Sequence, residues 1–324
     1  MKKITNFIIL GSIVLIFVGM IIFVVALSTN KEGTGFLNNG TIVSNTYKVD
    51  EDFNNIIIEE SVCDINIIYK ESESTSINLK ELSNIQHIIE VKDNTLTIKK
   101  NDQRKWYEKL FNFYDTEIIV YLNKTTINDL TIKTETGDVS VDEKFTFNNV
   151  VINGSTSDVE FDADVVEDVK IELSTGDIKI NNFSCQNLDL KVSTGDIEIE
   201  DVNCLNELKI KLSTGDVELN NISCMDFYST GSTGRISLNN VIASNKMNIK
   251  RDTGDVKLDK CDALDIVIET STGSVKGTLL SNKIFNVNTD TGRKAVPDSV
   301  SGGNCKITTD TGDIIIDIVN NSYK

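Results

Sequence analysis

The chain has 324 residues, 49 Asp and Glu against 32 Lys and Arg, and a formal net charge of −17. A surface of that sign repels nucleic acid and anionic lipid headgroups and tolerates cations, cationic peptides or a polycationic partner. Isoleucine and valine dominate the apolar residues, and there is a single Pro, a composition that favours long strands over helices.

In chain order, the first element is an apolar run from Ile8 to Leu27, preceded by Lys2 and Lys3. About 20 residues at 1.5 Å rise span a ~30 Å hydrocarbon core, and the leading lysines place the N-terminus in the cytoplasm. The sequence therefore predicts a transmembrane anchor over 1–30, a single-pass cell-membrane protein, and everything beyond it outside the cytoplasm. A cleaved signal peptide is the competing reading, with Ala26-Leu27-Ser28 as the small-x-small site. Residues 31–45 read as a linker. Residues 46–130 read as an irregular β cap, in which Ile56, Ile58, Ile65, Ile67 and Tyr69 alternate like a first, degenerate turn. Ile77/Leu79, Leu96/Ile98 and Ile118/Val120/Leu122 add strands as capping hairpins.

From residue 131 to 318 the chain repeats. Glu135-Thr136-Gly137-Asp138 recurs as Ser174-Thr175-Gly176-Asp177, Ser193-Thr194-Gly195-Asp196, Ser213-Thr214-Gly215-Asp216, Asp252-Thr253-Gly254-Asp255 and Asp310-Thr311-Gly312-Asp313. Variant copies carry Ser157, Arg235, Ser274 and Arg293, and neighbouring copies lie 19 or 20 residues apart. Apolar residues sit seven, five and three positions before each Gly, and two, four and seven after it, as in Leu188, Leu190, Val192, Ile197, Ile199 and Val202 around Gly195. Period-two alternation marks strands with one buried face. One unit cannot bury that face alone; ten units stacked at the ~4.8 Å strand spacing can. The expectation is an all-β, single-stranded parallel β-solenoid of about ten repeats, with a Gly corner in each. One-residue length variation should fall in the opposite turn near 203–206, Ile314, Ile316 and Ile318 should finish the last turn, and 319–324 should form a polar tail.

The sharpest polar feature is the corner column Asp138, Asp158, Asp177, Asp196, Asp216, Asp255 and Asp313. Carboxylates stacked at ~4.8 Å repel by roughly 1 kcal/mol in water, so something must offset them. Turn capping is the first reading, weak Ca²⁺ binding the second, carboxylate catalysis the third. No other cofactor and no metal site is implied, because the six cysteines form no CxxC and the sole His, His87, has no nucleophile motif beside it. Thr136, Thr156, Thr175, Thr194, Thr214, Thr233, Thr253, Thr272, Thr291 and Thr311 form a second column that reads as strand-forming structure. Cys185, Cys204 and Cys224 occupy equivalent turns, with Cys261 near that place. They read as buried reduced thiols, Cys185–Cys204 being the pair placed to bridge. Residues 101–117 are basic and aromatic, with Trp106 and Tyr107 as candidates for a membrane-interface or partner contact, or for a plug over the open end of the column.

The alternating N-terminal segment, the serial S/T-T-G-D units and the closing Ser301-Gly302-Gly303…Asp310-Thr311-Gly312-Asp313-Ile314 resemble the bacterial adhesin-like family named for the domain of unknown function numbered 4097, over roughly residues 46–318. The resemblance implies an envelope-associated protein of the Gram-positive type, in some members linked to envelope-stress signalling, with no agreed catalytic residues. The resulting expectation is a non-catalytic envelope scaffold that binds a wall polymer, a cationic peptide or a membrane signalling protein. The alternative is a polysaccharide-acting parallel β-helix enzyme.

Overall fold

The computed structural model describes residues 18–19, 41–83, 85–101 and 116–319. The anchor segment, apart from Val18 and Gly19, and the aromatic segment with Trp106 and Tyr107 lie outside the described residues. Among the described residues no helix is long and apolar enough to cross a membrane.

The repeat region is a parallel β-solenoid of about ten coils. Equivalent residues stack in register: Ile171 on Leu190, Leu190 on Ile210, Ile210 on Ser229, Ser229 on Ile249. At most of the six alternating positions around the glycines the side chain points inward and is buried, and together these residues form one long apolar core, with polar exceptions such as Ser229, Arg251 and Thr270. Near its N-terminal end the column is aromatic, with the Phe145, Phe147, Phe161 and Phe183 rings in series at centroid distances of 5.8, 6.3 and 5.7 Å. Such tilted and edge-on contacts add to area burial.

Each coil has more corners than the glycine pattern predicts. Six residues beyond the Gly, Asn182, Asp201, Asn221, Asn240 and Lys260 adopt φ of 54°, 54°, 55°, 53° and 52°. Asn and Asp accept this left-handed conformation better than other side chains do, so a second corner was written in the sequence as an Asn/Asp position. The third bend is a register shift, which between Asn203 and Glu207 absorbs the one-residue insertion as expected.

The order of coils in space differs from their order in the chain at both ends. Gly303–Thr311 lies between Val256–Thr272 and Lys283–Thr291, pairing Ile307 with Ile268 on one side and Val287 on the other. Ile314–Ile318 likewise lies between Val275–Leu279 and Lys294–Ala295. The expectation that Ile314, Ile316 and Ile318 finish the column is therefore corrected: they form an interior rung, and the chain reaches the edge earlier, at Lys283–Ala295. At the N-terminal end Asn55–Glu59 is sandwiched between Thr95–Asn101 and Thr126–Thr136, so the turn read as the first rung is an inner one. The expected antiparallel hairpin strands are present in part. Gln86–Lys92 pairs antiparallel with Thr95–Asn101, and Thr75–Leu82 lies antiparallel to both Ile42–Val49 and Glu117–Leu122. Thr95–Asn101 and Glu117–Leu122, however, also stack as parallel rungs on the solenoid. Ile42–Val49 begins inside the stretch expected to be linker.

The inverted order makes a direct prediction. Ile307 is fully buried between two rungs, whereas Val287 on the edge strand is only half-buried. Ile307→Ala should cost about 2–5 kcal/mol in urea unfolding, and Val287→Ala clearly less. A sequentially stacked column would not separate the two in this direction.

Candidate functional site

The corner column is built by glycine. Gly215 has φ of 138°, and a Cβ there would sit 1.8 Å from the carbonyl oxygen of Gly195; Gly195 stands in the same relation to Gly176 at 2.0 Å. Only a residue without a side chain allows consecutive coils to close to strand spacing at this bend. The Gly176, Gly195 and Gly215 amides then donate to the carbonyls of Thr194, Thr214 and Thr233 in the next coil.

The aspartates complete the corner. The backbone N–H of Asp138 donates to Asp64 Oδ1 at 2.9 Å, that of Asp158 to Asp138 at 3.0 Å, that of Asp177 to Asp158 at 2.8 Å, and that of Asp196 to Asp177 at 2.7 Å. The ladder continues through Asp216 on Asp196 and Arg235 on Asp216, both at 2.7 Å. Beyond Arg235 it resumes, with the Ser274 N–H on Asp255 Oδ1 at 2.8 Å and the Arg293 N–H on Asp313 Oδ1 at 3.0 Å. Each carboxylate thus holds the amide of the next coil, and the carboxylate–amide bond offsets the repulsion along the column. The sequence missed one member: Asp64 starts the ladder, because Cys63 occupies the glycine position beneath Gly137. Arg235 also turns its guanidinium back onto Asp216 Oδ2 at 2.8 Å, and this hydrogen bond holds the Asp216 carboxyl below its ordinary range. Asp313 is lowered by the Arg293 amide first and by Lys276 after it.

The threonines run beside this ladder in one register, from Thr136 through Thr272 to Thr311 and Thr291. All six cysteines are free and buried. Cys185 and Cys204 face each other with Sγ atoms 3.4 Å apart. Cys261 is corrected to a neighbouring column: Ile242 pairs with Asp262, which puts Cys261 opposite Val241 and leaves Ala263 in the line of Cys185 and Cys204. Among the described residues no group of three or more His, Cys, Asp or Glu converges as a metal site.

His87, unremarkable in the sequence, lies at the centre of a buried charge cluster in the N-terminal cap. Its Nε2 meets Glu60 Oε1 at 2.5 Å and its Nδ1 meets Glu81 Oε2, while Lys100 Nζ lies 3.7 Å from Glu60 Oε2. Glu81 Oε1 also accepts from Asn45 at 2.8 Å, and burial, with the Glu81 charge after it, raises the Tyr47 phenol. The imidazole joins the Glu60 and Glu81 segments to its own strand, and Lys100 and Asn45 extend the cluster through the two glutamates. Burial opposes the imidazole charge, but the Glu60 and Glu81 carboxylates outweigh that and raise its pKa above 6.5. No local motif reveals this, because the partners lie 27 and 6 residues away and meet only through sheet pairing.

The chain belongs to the Toastrack DUF4097 family, whose model matches residues 53–206 and 201–324. No curated protein matches the sequence. Among solved structures, the chain is similar to a "putative lipid binding protein" of Parabacteroides distasonis (17% identity, 87% of this chain and 98% of that one, TM-score 0.49). It is also similar to a "putative adhesin" of the same organism (16%, 84% and 98%, 0.48) and to a "putative adhesin" of Bacteroides fragilis (17%, 88% and 100%, 0.42).

Two measurements test the two clusters. Asp196→Ala removes the acceptor for the Asp216 amide and should cost about 1–3 kcal/mol in urea unfolding, with Asp196→Asn closer to wild type; an unchanged midpoint would mean that the ladder contributes nothing. For His87 the folded pKa is raised, so its stabilisation is complete below 6.5 and is lost as pH rises through the folded value. The melting temperature of wild type relative to His87→Gln should therefore fall as pH is raised from 6 upward; a constant difference would remove the ionic role.

Proposed function

We propose that this protein is a non-catalytic, adhesin-like scaffold of the cell envelope, held by its N-terminal apolar segment with the solenoid outside the membrane. The observation that carries the reading is the uniformity of the corner ladder. Its carboxylates are spaced one per coil and engaged with backbone amides, whereas a glycosidase-type centre needs two carboxyl groups converging across one bond. Lys2, Lys3 and the run from Ile8 to Leu27 support the anchored orientation. The names given to the similar solved structures are consistent with a binding role. A rigid column of this kind presents ordered rows of side chains to a wall polymer, a cationic peptide or a membrane signalling protein, and a link to envelope-stress signalling would run through the last of these.

Protease treatment of intact cells, followed by blotting with antibodies against the solenoid and against a cytoplasmic control, tests the orientation. The solenoid should be degraded while the control survives. Cleavage of an envelope polysaccharide by the purified full chain, abolished by Asp196→Asn, would instead establish the β-helix enzyme.

A further inference from the structure

Two neighbouring coils break the apolar column together. At the position five before the corner glycine, where other coils carry Ile, Leu or Val, the coil ending at Gly234 has Ser229. Three before the glycine, where the two preceding coils carry Val192 and Leu212, it has Gly231. The next coil places Arg251 at that same inward position, and Arg251 is only 2% exposed. The three departures fit one another. A Cβ on Gly231 would lie 2.3 Å from Arg251 Nη1, so the guanidinium fills the space that the missing side chain leaves, and Arg251 Nη2 donates to Ser229 Oγ at 2.9 Å.

The remaining hydrogen bond of Arg251 is a long one, from Nη1 to the Lys250 carbonyl at 3.5 Å. A guanidinium has five N–H donors and a charge that is expensive to bury alone. None of the ion pairs of the described residues reaches it; Asp216 acts on it only at a distance, and burial lowers its pKa to about 10.

Directly over this point, on the outer face of the sheet, runs a trough of about 360 Å³, lined along the solenoid axis by two rows of side chains. One wall is Lys191, Lys211, Thr230 and Lys250, the other Ser193, Ser213, Ser232 and Asp252, and the floor includes the backbone at Gly231. The lysines are exposed. Three lysines and the buried arginine face the rim carboxylate of Asp252 and, 3.8 Å from Lys191, the Glu172 carboxylate, which still leaves a local excess of positive charge on a protein of net charge −17. The wall positions repeat at strand spacing, so four coils offer a row about 14 Å long.

We propose that this trough is a binding site for an extended, phosphate-bearing polymer, with Lys191, Lys211 and Lys250 contacting successive phosphates, the serine hydroxyls donating to their oxygens, and Arg251 supplying fixed positive charge beneath the Gly231 floor. The inference rests on the reading of the chain as a non-catalytic binder and names the ligand class of that binder. Lysine is a point-charge partner for phosphate, and serine hydroxyls and charge-assisted contacts supply the directionality.

The test uses the full chain in detergent micelles and fluorescently labelled long-chain inorganic polyphosphate, with free inorganic phosphate and poly-glutamate as competitors. Polyphosphate should bind, and Arg251→Met and the triple variant Lys191→Gln/Lys211→Gln/Lys250→Gln should each weaken binding by about tenfold or more, the order of one or two lost charge-assisted contacts. Arg251→Met should keep or raise the melting temperature, since a buried charge without a carboxylate partner is replaced by an apolar side chain of similar length. The proposal is overturned if both variants bind like wild type, if poly-glutamate competes as well as polyphosphate, or if free phosphate binds as tightly as the polymer. Polymer binding in micelles with a protease-resistant solenoid on intact cells would sink the envelope reading and leave the site standing; the converse result would sink the site alone.

Discussion

The close approach of consecutive coils at the glycine corner is the constraint on which the rest depends. Strands can stack at about 4.8 Å only if nothing projects between them at the bend, and at Gly176, Gly195, Gly215 and Gly234 a Cβ would meet the preceding carbonyl at 1.8–2.0 Å. Once the corner closes, the next residue's amide faces the coil before it, and a short carboxylate is the side chain that reaches it. The Asp column is thus a consequence of the glycine column. Its like charges are tolerable because each one is committed to a backbone donor, which is worth more than the repulsion of an exposed neighbour in water.

A column held in this way has a weakness at its two ends, where strand edges and apolar interior would otherwise be open. Both ends answer with a change of stacking order. The C-terminal strands enter as interior rungs, so that Lys283–Thr291 takes the edge, with Phe285, Val287, Val296 and Ile318 packed against the core there. At the other end an inner rung is followed outward by antiparallel strands, and the Glu60–His87–Glu81 cluster ties those strands across the end. In each case a chain segment is gripped on both sides instead of hanging from one.

The repeat was legible because every coil solves the same local problem with the same residue types, so Gly, Asp and the alternating Ile, Val and Leu recur at fixed offsets. The stacking order was not legible for the same reason: Ile307 and Val287 occupy equivalent positions, and nothing local says which of them meets Ile268. The second corner was present as Asn182, Asp201, Asn221 and Asn240, but Lys260 breaks that signal and the glycine signal is stronger. His87 could not be read at all, since its partners are assembled by pairing between distant strands.

Uniformity also makes departures from it informative, and two arginines show how. Arg235 interrupts the corner column but stays exposed and pairs with Asp216, so the ladder resolves the change within one coil. Arg251 interrupts the apolar column, and the response is spread over the neighbouring coil as a serine that accepts from it and a glycine that makes room. Neither change supplies a counter-charge. A buried cation that its surroundings accommodate in shape but leave uncompensated in charge is costly to keep for stability alone, and a row of lysines above it is the wrong environment if neutralisation by the protein were the purpose. The arrangement is physically consistent when the missing negative charge arrives from outside the chain.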